Sequence, residues 1–285
     1  METNQLQIAS LNINIATSET RIAVFESFIR CHELDIVFLQ EVAVESLERI
    51  RGYTIVTNIG TENRGTALLA KEHLILQNIA RLPSGRGIAA DLNGIRLVNI
   101  YAPSGAEKRR ERDDFFAAEV PTLLQNVPVK MLLGGDFNCV LAQADTTGKA
   151  MYSGALQTFV TGYGLVDVWN TKPKCEGYTH HTRMGASRID RFYVTRNLLE
   201  YKRSVEVVPS AMTDHLAIVL RILWQGPIAN RGRGYWMLNV SLLDEPEIRK
   251  QLEESWTRWK RNSNWYGDIT HWWTRAAKNT YDASS

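Results

Sequence analysis

The sequence predicts an α/β protein in which a core of two β-sheets is covered by helices. Short β-type segments recur up to residue 223 and are bounded by glycine, proline and asparagine clusters. Several of these segments are apolar on both faces, as expected of strands that are buried between two layers. Helical patterns interrupt the strands and supply the covering layers.

The predicted strands cover residues 6–15, 35–40, 53–57, 66–70, 74–80, 88–92, 95–101, 129–133, 189–194, 205–208 and 216–223. Helical patterns cover residues 21–31, 107–124 and 154–164. In the first helix, Ile22, Phe25 and Ile29 form one apolar stripe. Pro121 should kink or break the second helix, and a glycine ends the third.

The composition changes near residue 224. Seven of the eight tryptophans lie at or beyond Trp224, and residues 225–234 are rich in glycine and proline, which is typical of a linker. Residues 244–247, Asp-Glu-Pro-Glu, have the pattern of a capped helix start. We therefore expect one globular domain at residues 1–224, followed by a linker and a tryptophan-rich helical segment at residues 225–285.

Charge and cysteine content exclude several classes of function. The formal net charge is only +2, so a nucleic-acid partner would have to be held by local basic patches. Cys31, Cys139 and Cys175 are widely spaced and predict neither a zinc site nor a disulfide framework, which favours a reduced intracellular compartment. The chain has no apolar run of membrane-span length, and METNQLQ lacks a signal-peptide pattern, so no membrane partner is expected.

Polar side chains follow the first two strands. Period-two alternation places Asn12 and Asn14 on one face of the first strand, and such amides either cap loops or meet a polar ligand. Glu41 ends the second, apolar strand, where a carboxylate is costly unless it is paired or bound to a cation. A Mg²⁺ ion and a salt bridge explain Glu41 equally well.

The segment Gly-Gly-Asp-Phe-Asn at residues 134–138 follows another apolar strand. Its glycines allow a tight turn or a close approach to a ligand. Asp136 can accept a proton from water while Asn138 orients that water. The same pattern also occurs as a simple β-turn.

Two later segments add an acid–base pair. Asp190 lies in the strand at residues 189–194, and Asp214 and His215 directly precede the last strand. A histidine whose tautomer is held by a carboxylate is a common acid–base arrangement. His180 and His181 are adjacent and point apart on a strand, so we do not expect them to be ligands.

A run of basic residues begins at Lys108 in the second helical pattern. It is either a solvated helix face or a set of contacts to phosphates.

These motifs, in this order, resemble the exonuclease–endonuclease–phosphatase superfamily over residues 6–223. The matching segments are Leu-Asn-Ile-Asn, Leu-Gln-Glu, Asn-Ile-Tyr-Ala-Pro, Gly-Gly-Asp-Phe-Asn, Arg-Ile-Asp-Arg-Phe and Thr-Asp-His. The resemblance implies a four-layer α/β sandwich of two packed, mostly antiparallel sheets flanked by helices. It also implies a Mg²⁺ cofactor at the strand ends, with Mn²⁺ as a substitute.

Within the superfamily, the chain is most similar to the apurinic-endonuclease-type domain of non-LTR (LINE-type) retrotransposons. Residues 99–104, 164–169 and 178–190 carry this likeness. Residues 233–244 resemble the segment that joins such endonucleases to a downstream reverse transcriptase. The resemblance implies a nuclear enzyme, part of a longer polyprotein, that nicks double-stranded DNA and leaves a 3′-hydroxyl that primes reverse transcription.

The resemblance also implies a role for each site residue. The implied catalytic residues are Asn12, Tyr101, Asp136, Asn138, Asp190 and His215, and the implied metal contacts are Glu41, Asn14 and Asp214. Asp136 would deprotonate the attacking water, which Asn138 would hold. His215, oriented by Asp190, would contact the scissile phosphate.

The remaining implied roles concern the phosphate and the metal. Asn12 would also contact the phosphate, and Tyr101 would contact it or assist the leaving group. Glu41 would bind Mg²⁺ with Asn14 or a neighbouring carboxylate. Asp214 would either support the residues that contact the metal or contact the metal through water.

A hairpin is predicted where residues 178–182 and 188–194 both have β patterns, with residues 183–187 as its tip. In the family that the chain resembles, the corresponding hairpin lies in a DNA groove beside the cut. The predicted DNA contacts are Thr179, Arg183, Met184 and Arg188.

Three alternative functions stay open at this stage. An abasic-site endonuclease or 3′-exonuclease would use the same catalytic set, and cleavage of plain against abasic duplexes separates them. A phosphatase or phospholipase of the superfamily would release phosphate from small phosphoesters. A non-catalytic DNA-binding remnant would lack part of the catalytic set.

Overall fold

The computed structural model describes residues 5–14, 18–43, 47, 50–60, 64–124, 130–170, 172–210 and 213–224, together with residues 250, 253, 254 and 257. The chain divides into two compact units, Met1–Ile228 and Ala229–Ser285. In the second unit, the four described residues have helical backbone. The linker predicted at residues 225–234 and the tryptophans beyond Trp224 lie outside the described residues, so the boundary predicted at residue 224 stays a prediction.

The strands of the first unit are short and are listed here in chain order. They are β1 (Gln5–Asn12), β2 (Ile36–Val42), β3 (Tyr53–Ile59), β4 (Gly65–Lys71), β5 (Gln77–Arg81), β6 (Gly87–Leu92), β7 (Ile95–Tyr101), β8 (Lys130–Asp136), β9 (Leu165–Asp167), β10 (His180–Thr182), β11 (Gly185–Ser187), β12 (Asp190–Thr195), β13 (Lys202–Val208) and β14 (Ala217–Leu223). The helices are α1 (Glu19–Cys31), α2 (Arg109–Asp114), α3 (Val120–Thr122), α4 (Gly154–Gly162) and α5 (Arg196–Leu199).

Within the described residues, the strands form two six-stranded sheets and one small hairpin sheet. The first sheet has the order β13-β14-β1-β2-β4-β3, and the second has the order β5-β6-β7-β8-β12-β9. Strand β1 is parallel to β2 and β7 is parallel to β8, while the other neighbours are antiparallel. The prediction of mostly antiparallel sheets is confirmed.

Three buried apolar clusters correspond to the three interfaces between four layers. The central cluster joins the facing sides of the two sheets, where the rings of Phe38 and Phe192 lie 5.6 Å apart. A second cluster packs Phe25 and Ile29 of α1 on the outer face of the first sheet. A third packs the helices that follow β7 and α4 on the outer face of the second sheet. Both faces of each sheet are covered, which confirms the four-layer α/β sandwich and explains why the strands are apolar on both faces.

The first two predicted helices form, and the second is interrupted. Helix α1 begins after Ser18, whose hydroxyl accepts from the Arg21 amide at 3.3 Å, and it buries the predicted apolar stripe. The second helical pattern contains α2, a π-helical turn at Phe115–Glu119, and α3 with Pro121 in its first turn. Proline lacks an N–H and clashes with the carbonyl four residues earlier, so the wider π turn accommodates it.

The predicted hairpin is shorter than the sequence pattern indicates. Strand β10 pairs with β11, with Thr182 opposite Gly185, and not with the strand that carries Asp190. The connection is therefore the two-residue turn of Arg183 and Met184. Strand β11 was missed because Gly-Ala-Ser has no β-type composition, and its pairing depends on tertiary contacts.

Candidate active site

The Asp136 and Asp190 carboxylates of the second sheet lie side by side because of strand register. Asp136 ends β8, where it is opposite Tyr101 of β7 on one side and Asp190 of β12 on the other. The turn needs glycine at position 135, whose φ is +138° and where a Cβ atom would lie 1.9 Å from the Ile100 carbonyl oxygen. This glycine therefore allows close packing between two strands of one sheet. A close approach to a ligand, which the sequence also suggested, is not needed to explain it.

The first sheet brings a second set of polar groups to the same end of the sandwich. Asn12 ends β1 opposite Gln40 of β2, and Glu41 follows with a left-handed φ of +52°. The Asn12 side-chain amide donates to Glu41 Oε1 and to Asp136 Oδ2, both at 3.1 Å. One buried amide thus joins a carboxylate of each sheet.

Glu41 has two further partners. The Tyr101 hydroxyl donates to Glu41 Oε1 at 2.9 Å, and Arg64 donates to Glu41 Oε2 at 3.2 Å. Burial, together with the charge of Glu41, raises the pKa of Tyr101 to about 12. The phenol therefore stays protonated at neutral pH and orients the Glu41 carboxylate.

Asp136 is fully buried and its carboxylate is held at both oxygens. Oδ1 accepts from the Asn138 backbone amide at 2.9 Å, while Oδ2 accepts from Asn12. Burial and the nearby Asp190 carboxylate raise the pKa of Asp136 to about 7, against the opposing charge of His215. A carboxylate with this pKa can take up a proton near neutral pH.

His215 and Asp190 form a buried pair. His215 Nδ1 lies 2.9 Å from Asp190 Oδ2, and the Asp190 backbone amide donates to Thr179 Oγ1 at 3.1 Å. Burial alone would lower the pKa of His215, but the carboxylates of Asp190 and Asp136 outweigh burial and raise it to about 10. The imidazole is therefore a cation at neutral pH, with Nε2–H as its remaining ring donor.

The donor set fits a divalent cation. The Glu41 and Asp136 carboxylates share one amide donor, and a guanidinium already compensates the charge of Glu41. Among the described residues, carboxylate oxygens of Asp136 and Asp190 lie within 4.8 Å of each other, and the buried Asp190 Oδ1 has no hydrogen-bond partner. Carboxylate oxygens are the hard ligands that Mg²⁺ prefers.

Asn14 does not share the strand face of Asn12. Strand β1 ends at Asn12, and Asn14 is exposed with a left-handed φ of +43°. Its backbone amide donates to Asn12 Oδ1 at 3.0 Å, so Asn14 closes a turn that fixes the Asn12 amide. Period-two alternation failed because the strand ends at Asn12, three residues before the predicted strand does.

Asn138 also ties loops together. Its side-chain amide nitrogen donates to the Ala102 carbonyl at 2.9 Å, which links the end of β8 to the segment after β7. This contact is in addition to the water-holding role that the resemblance implies.

Asp214 has a different neighbour from the one expected. It is half exposed, and its Oδ2 lies 3.3 Å from His180 Nε2, while the rings of His180 and His215 lie 4.5 Å apart. Ligand atoms of His180, Asp214 and His215 also lie within 4.8 Å of one another. The sequence reasoning set His180 aside because it considered a single strand, whereas the contact arises from the pairing of β10 with the segment before β14.

Two of the residues predicted as DNA contacts, Thr179 and Arg188, are buried in the structure. Thr179 is fully buried and holds the Asp190 backbone. Arg188 is 1% exposed and is paired with Asp145 at 2.9 Å and Asp167 at 2.7 Å, so its charge is already compensated inside the protein. Arg183 and Met184 remain at the exposed tip, where Met184 is 88% exposed.

A polar bridge between the two sheets was not predicted from the sequence. Gln40 donates to Ser10 Oγ at 3.1 Å and to Asn99 Oδ1 at 2.7 Å, and Asn99 donates to carbonyl oxygens of β2 and β4. The signal was present, because each of these polar residues interrupts an otherwise apolar strand. Arg64 carries no such signal, since its role depends on a contact with Glu41, which is distant in the sequence.

Comparison with known proteins agrees with this architecture. The chain is 24% identical to the transposon TX1 uncharacterized 149 kDa protein of Xenopus laevis over 94% of its own length, which is 22% of that relative. The chain thus spans about a fifth of this curated relative. Its fold is similar to that of the 3′ phosphatase NExo from Neisseria, solved bound to a product DNA hairpin (TM-score 0.67, 21% identity, 77% of this chain and 100% of the other). It is also similar to an AP endonuclease from Archaeoglobus fulgidus (TM-score 0.63, 20% identity, 75% and 98%).

No helix within the described residues is both long and apolar enough to cross a membrane. Residues 9–215, which contain every side chain of the site described above, match the Endonuclease/Exonuclease/phosphatase family. The chain therefore belongs to the Endonuclease/Exonuclease/phosphatase family.

Proposed function

We propose that this chain is a Mg²⁺-dependent endonuclease that nicks double-stranded DNA and leaves a 3′-hydroxyl that primes reverse transcription. The observation that carries the proposal is the buried juxtaposition of a carboxylate with a pKa raised to about 7, Asp136, and a histidine cation, His215. A base and a cation in one small space suit the attack of water on an anionic phosphodiester.

In this proposal Asp136 accepts the proton of the attacking water. Its two oxygens are already oriented by Asn12 and by the Asn138 amide, so little reorganisation precedes the proton transfer. The His215 imidazolium, whose Nδ1 is fixed by Asp190, donates from Nε2 to a phosphate oxygen and offsets the negative charge that grows there.

Glu41, with Asp136 nearby, would hold the metal ion. When bound, Mg²⁺ supplies Lewis-acid stabilisation of the charge on the phosphate and leaving oxygen. Tyr101 keeps the Glu41 carboxylate oriented through its 2.9 Å hydrogen bond. Arg64 donates to Glu41 Oε2 at 3.2 Å from a side chain that is 45% exposed, so it balances the charge of Glu41 from the solvent side.

The retrotransposon part of the proposal is supported by the TX1 relative and by the family resemblance of residues 233–244. The relative is much longer than this chain, so a downstream reverse transcriptase and a nuclear location are parts of the proposal. The Neisseria protein that was solved with a DNA product has the same fold, which supports DNA as the substrate class.

The test is nicking of supercoiled plasmid with Mg²⁺, with Mn²⁺ and with EDTA, followed by mapping of the cut sites and their end groups. We expect metal-dependent nicks with 3′-hydroxyl ends on undamaged DNA. The Asp136→Asn variant should be slower by about 10²-fold or more, which is typical of losing a positioned base. Cleavage confined to abasic sites, or release of 3′-terminal phosphate or nucleotides without internal nicks, would instead indicate a repair-type nuclease or phosphatase.

A further inference from the structure

A basic pocket lies beside Tyr101, on the side away from the Asp190–His215 pair in the sheet order. Its volume is about 270 Å³. Three cationic side chains and one carboxylate line it: Arg64, Arg86, Lys108 and Glu111. The pocket volume is close to the lower end of the ~300–1,000 Å³ that ligand sites span. The pocket therefore suits one phosphate group with its sugar better than a base pair.

Arg86 gives the strongest indication of a ligand. Its guanidinium lies over the Tyr101 ring at 5.1 Å, and its Nε is 3.9 Å from Glu111. Its Nη1 atom is buried and has no hydrogen-bond partner within the described part of the chain. A buried guanidinium nitrogen without an acceptor is costly, and a phosphate oxygen would satisfy it in the geometry that arginine favours.

One wall of the pocket is fixed by a close approach of Gly85 to Gly60. At Gly85, whose φ is +78°, a Cβ atom would lie 2.2 Å from the Gly60 amide nitrogen. The Arg86 carbonyl also accepts from the Tyr101 amide at 2.8 Å. The loop that carries Arg86 is therefore held against both neighbouring elements, which gives a preformed site.

The pocket shares side chains with the active site. Tyr101 and Arg64 line it, and both also hydrogen-bond the Glu41 carboxylate. An anion bound in the pocket would thus lie next to the group that is cleaved.

We propose that this pocket binds a backbone phosphate that neighbours the scissile phosphate on the cleaved DNA strand. The inference rests on the proposed function as a DNA nuclease. The basic residues of the second helical pattern then have different roles. Lys108 lines the pocket, Arg109 is 69% exposed and is 3.9 Å from Asp113, and Arg112 is buried against the Pro103 carbonyl.

The test uses Lys108→Ala, with Arg109→Ala as the matched control. Each removes one cation from adjacent positions at the start of α2, but only Lys108 lines the pocket. Lys108→Ala should raise KM about tenfold with little change in kcat, and it should make the slope of log Kd against log salt shallower by about one phosphate contact, near 0.9. Arg109→Ala should change neither quantity.

A second measurement locates the phosphate. Neutral methylphosphonate groups are placed, one at a time, at each phosphate flanking the mapped cut in a duplex oligonucleotide. A methylphosphonate at one position should weaken binding by the wild type. It should not weaken binding by the Lys108→Ala variant, because that variant has already lost the contact. Arg86→Lys keeps the positive charge but loses the two-pronged guanidinium. It should therefore weaken the contact with the phosphate at that same position.

The outcomes separate this inference from the proposed function. The wild type could nick DNA while Lys108→Ala and Arg109→Ala behave alike and no methylphosphonate position affects the wild type more than Lys108→Ala. In that case the pocket assignment is wrong and the proposed nuclease function stands. If the wild type neither binds nor nicks DNA, both are wrong. Inorganic phosphate that competes with DNA for the wild type and not for Lys108→Ala would support the assignment.

Discussion

At the scale of single residues, the site depends on two ionisable groups, Asp136 and His215, whose pKa values are both raised above their ordinary values. Burial and Asp190 raise the pKa of Asp136 to about 7, and Asp190 and Asp136 outweigh burial to raise the pKa of His215 to about 10. Asp190 thus affects both groups, and it does so from a position fixed by Thr179. Each group is prepared for its role by its neighbours and not by its residue type alone.

The His215–Asp190 pair gives a prediction about coupling. His215→Ala and Asp190→Asn should each reduce cleavage by about 10²-fold or more, and the double variant should be little worse than either, because groups that act as a unit are not additive. Single-turnover nicking measures this. Multiplicative losses would mean that the two residues act independently.

The same pair predicts a pH profile. The Asp190 charge is the largest influence that raises the pKa of His215, so removing it lowers that pKa. Cleavage by both enzymes should fall as the pH rises and His215 loses its proton. In the Asp190→Asn variant, this fall should occur at a lower pH than in the wild type. Nicking rates between pH 6 and pH 10, with folding checked at each pH, provide the measurement. An unchanged alkaline limit would contradict the pairing.

At the scale of elements, the sequence predicted most of what apolar periodicity controls. The strand patterns placed Asp136 after one strand, Asp190 within another and His215 directly before the last, and the structure brings the three together. Tertiary contacts decided the rest. The short strands β9 and β11 have too few residues to show a period, and the pairing of β10 with β11 depends on loop contacts. Arg188 has the pattern of a surface arginine and is buried because two aspartates from other segments meet it.

The hairpin of β10 and β11 carries a prediction about target choice. Its two-residue tip is exposed, while Ala186 is anchored to Thr147 by hydrogen bonds of 2.8 and 2.9 Å. Replacing only Arg183 and Met184 by serine should keep the anchor and metal-dependent nicking but flatten the preference among nick sites. An arginine in a narrow minor groove and an apolar side chain at a base step both respond to sequence.

Sequencing of nicks on one plasmid provides the readout for this hairpin variant. Arg203→Ser, which changes an exposed arginine on the edge strand β13, is the control. If the hairpin variant and Arg203→Ser both give the wild-type nick pattern, the hairpin tip does not select the target.

At the scale of the whole molecule, a buried ion network holds the second sheet to its loops. Arg188 and Arg191 are each 1% exposed and each pairs with Asp145 and Asp167. Although burial opposes ionisation, the two guanidinium groups lower the pKa of Asp145 to about 2. The network lies next to Asp190 in the chain, so the stability of this region and the geometry of the site are linked.

Asp145→Asn should be strongly destabilising at neutral pH, by about 3–5 kcal/mol, because the two buried guanidinium charges would then share the Asp167 carboxylate and one positive charge would be left uncompensated. In the wild type, the contribution of Asp145 is present above its ordinary pKa near 4 and is lost as pH falls towards 2. Urea unfolding at pH 7 and pH 4, with thermal melts down to pH 2, tests both statements. Glu206→Gln removes a half-exposed ion pair with Arg221 and should cost at most about 1 kcal/mol.

The pairing of β1 with β14 has a consequence for how the enzyme is made. These strands come from opposite ends of the first unit, with Gln5 opposite Leu223. Until the last strand emerges from the ribosome, β1 has one open edge and His215 is not yet in place. Such distant contacts close slowly, and domains mature in the order of synthesis. A nascent chain stopped before residue 215 would therefore carry Asp136 and Glu41 without catalytic competence, and nicking would begin only after the first unit is complete.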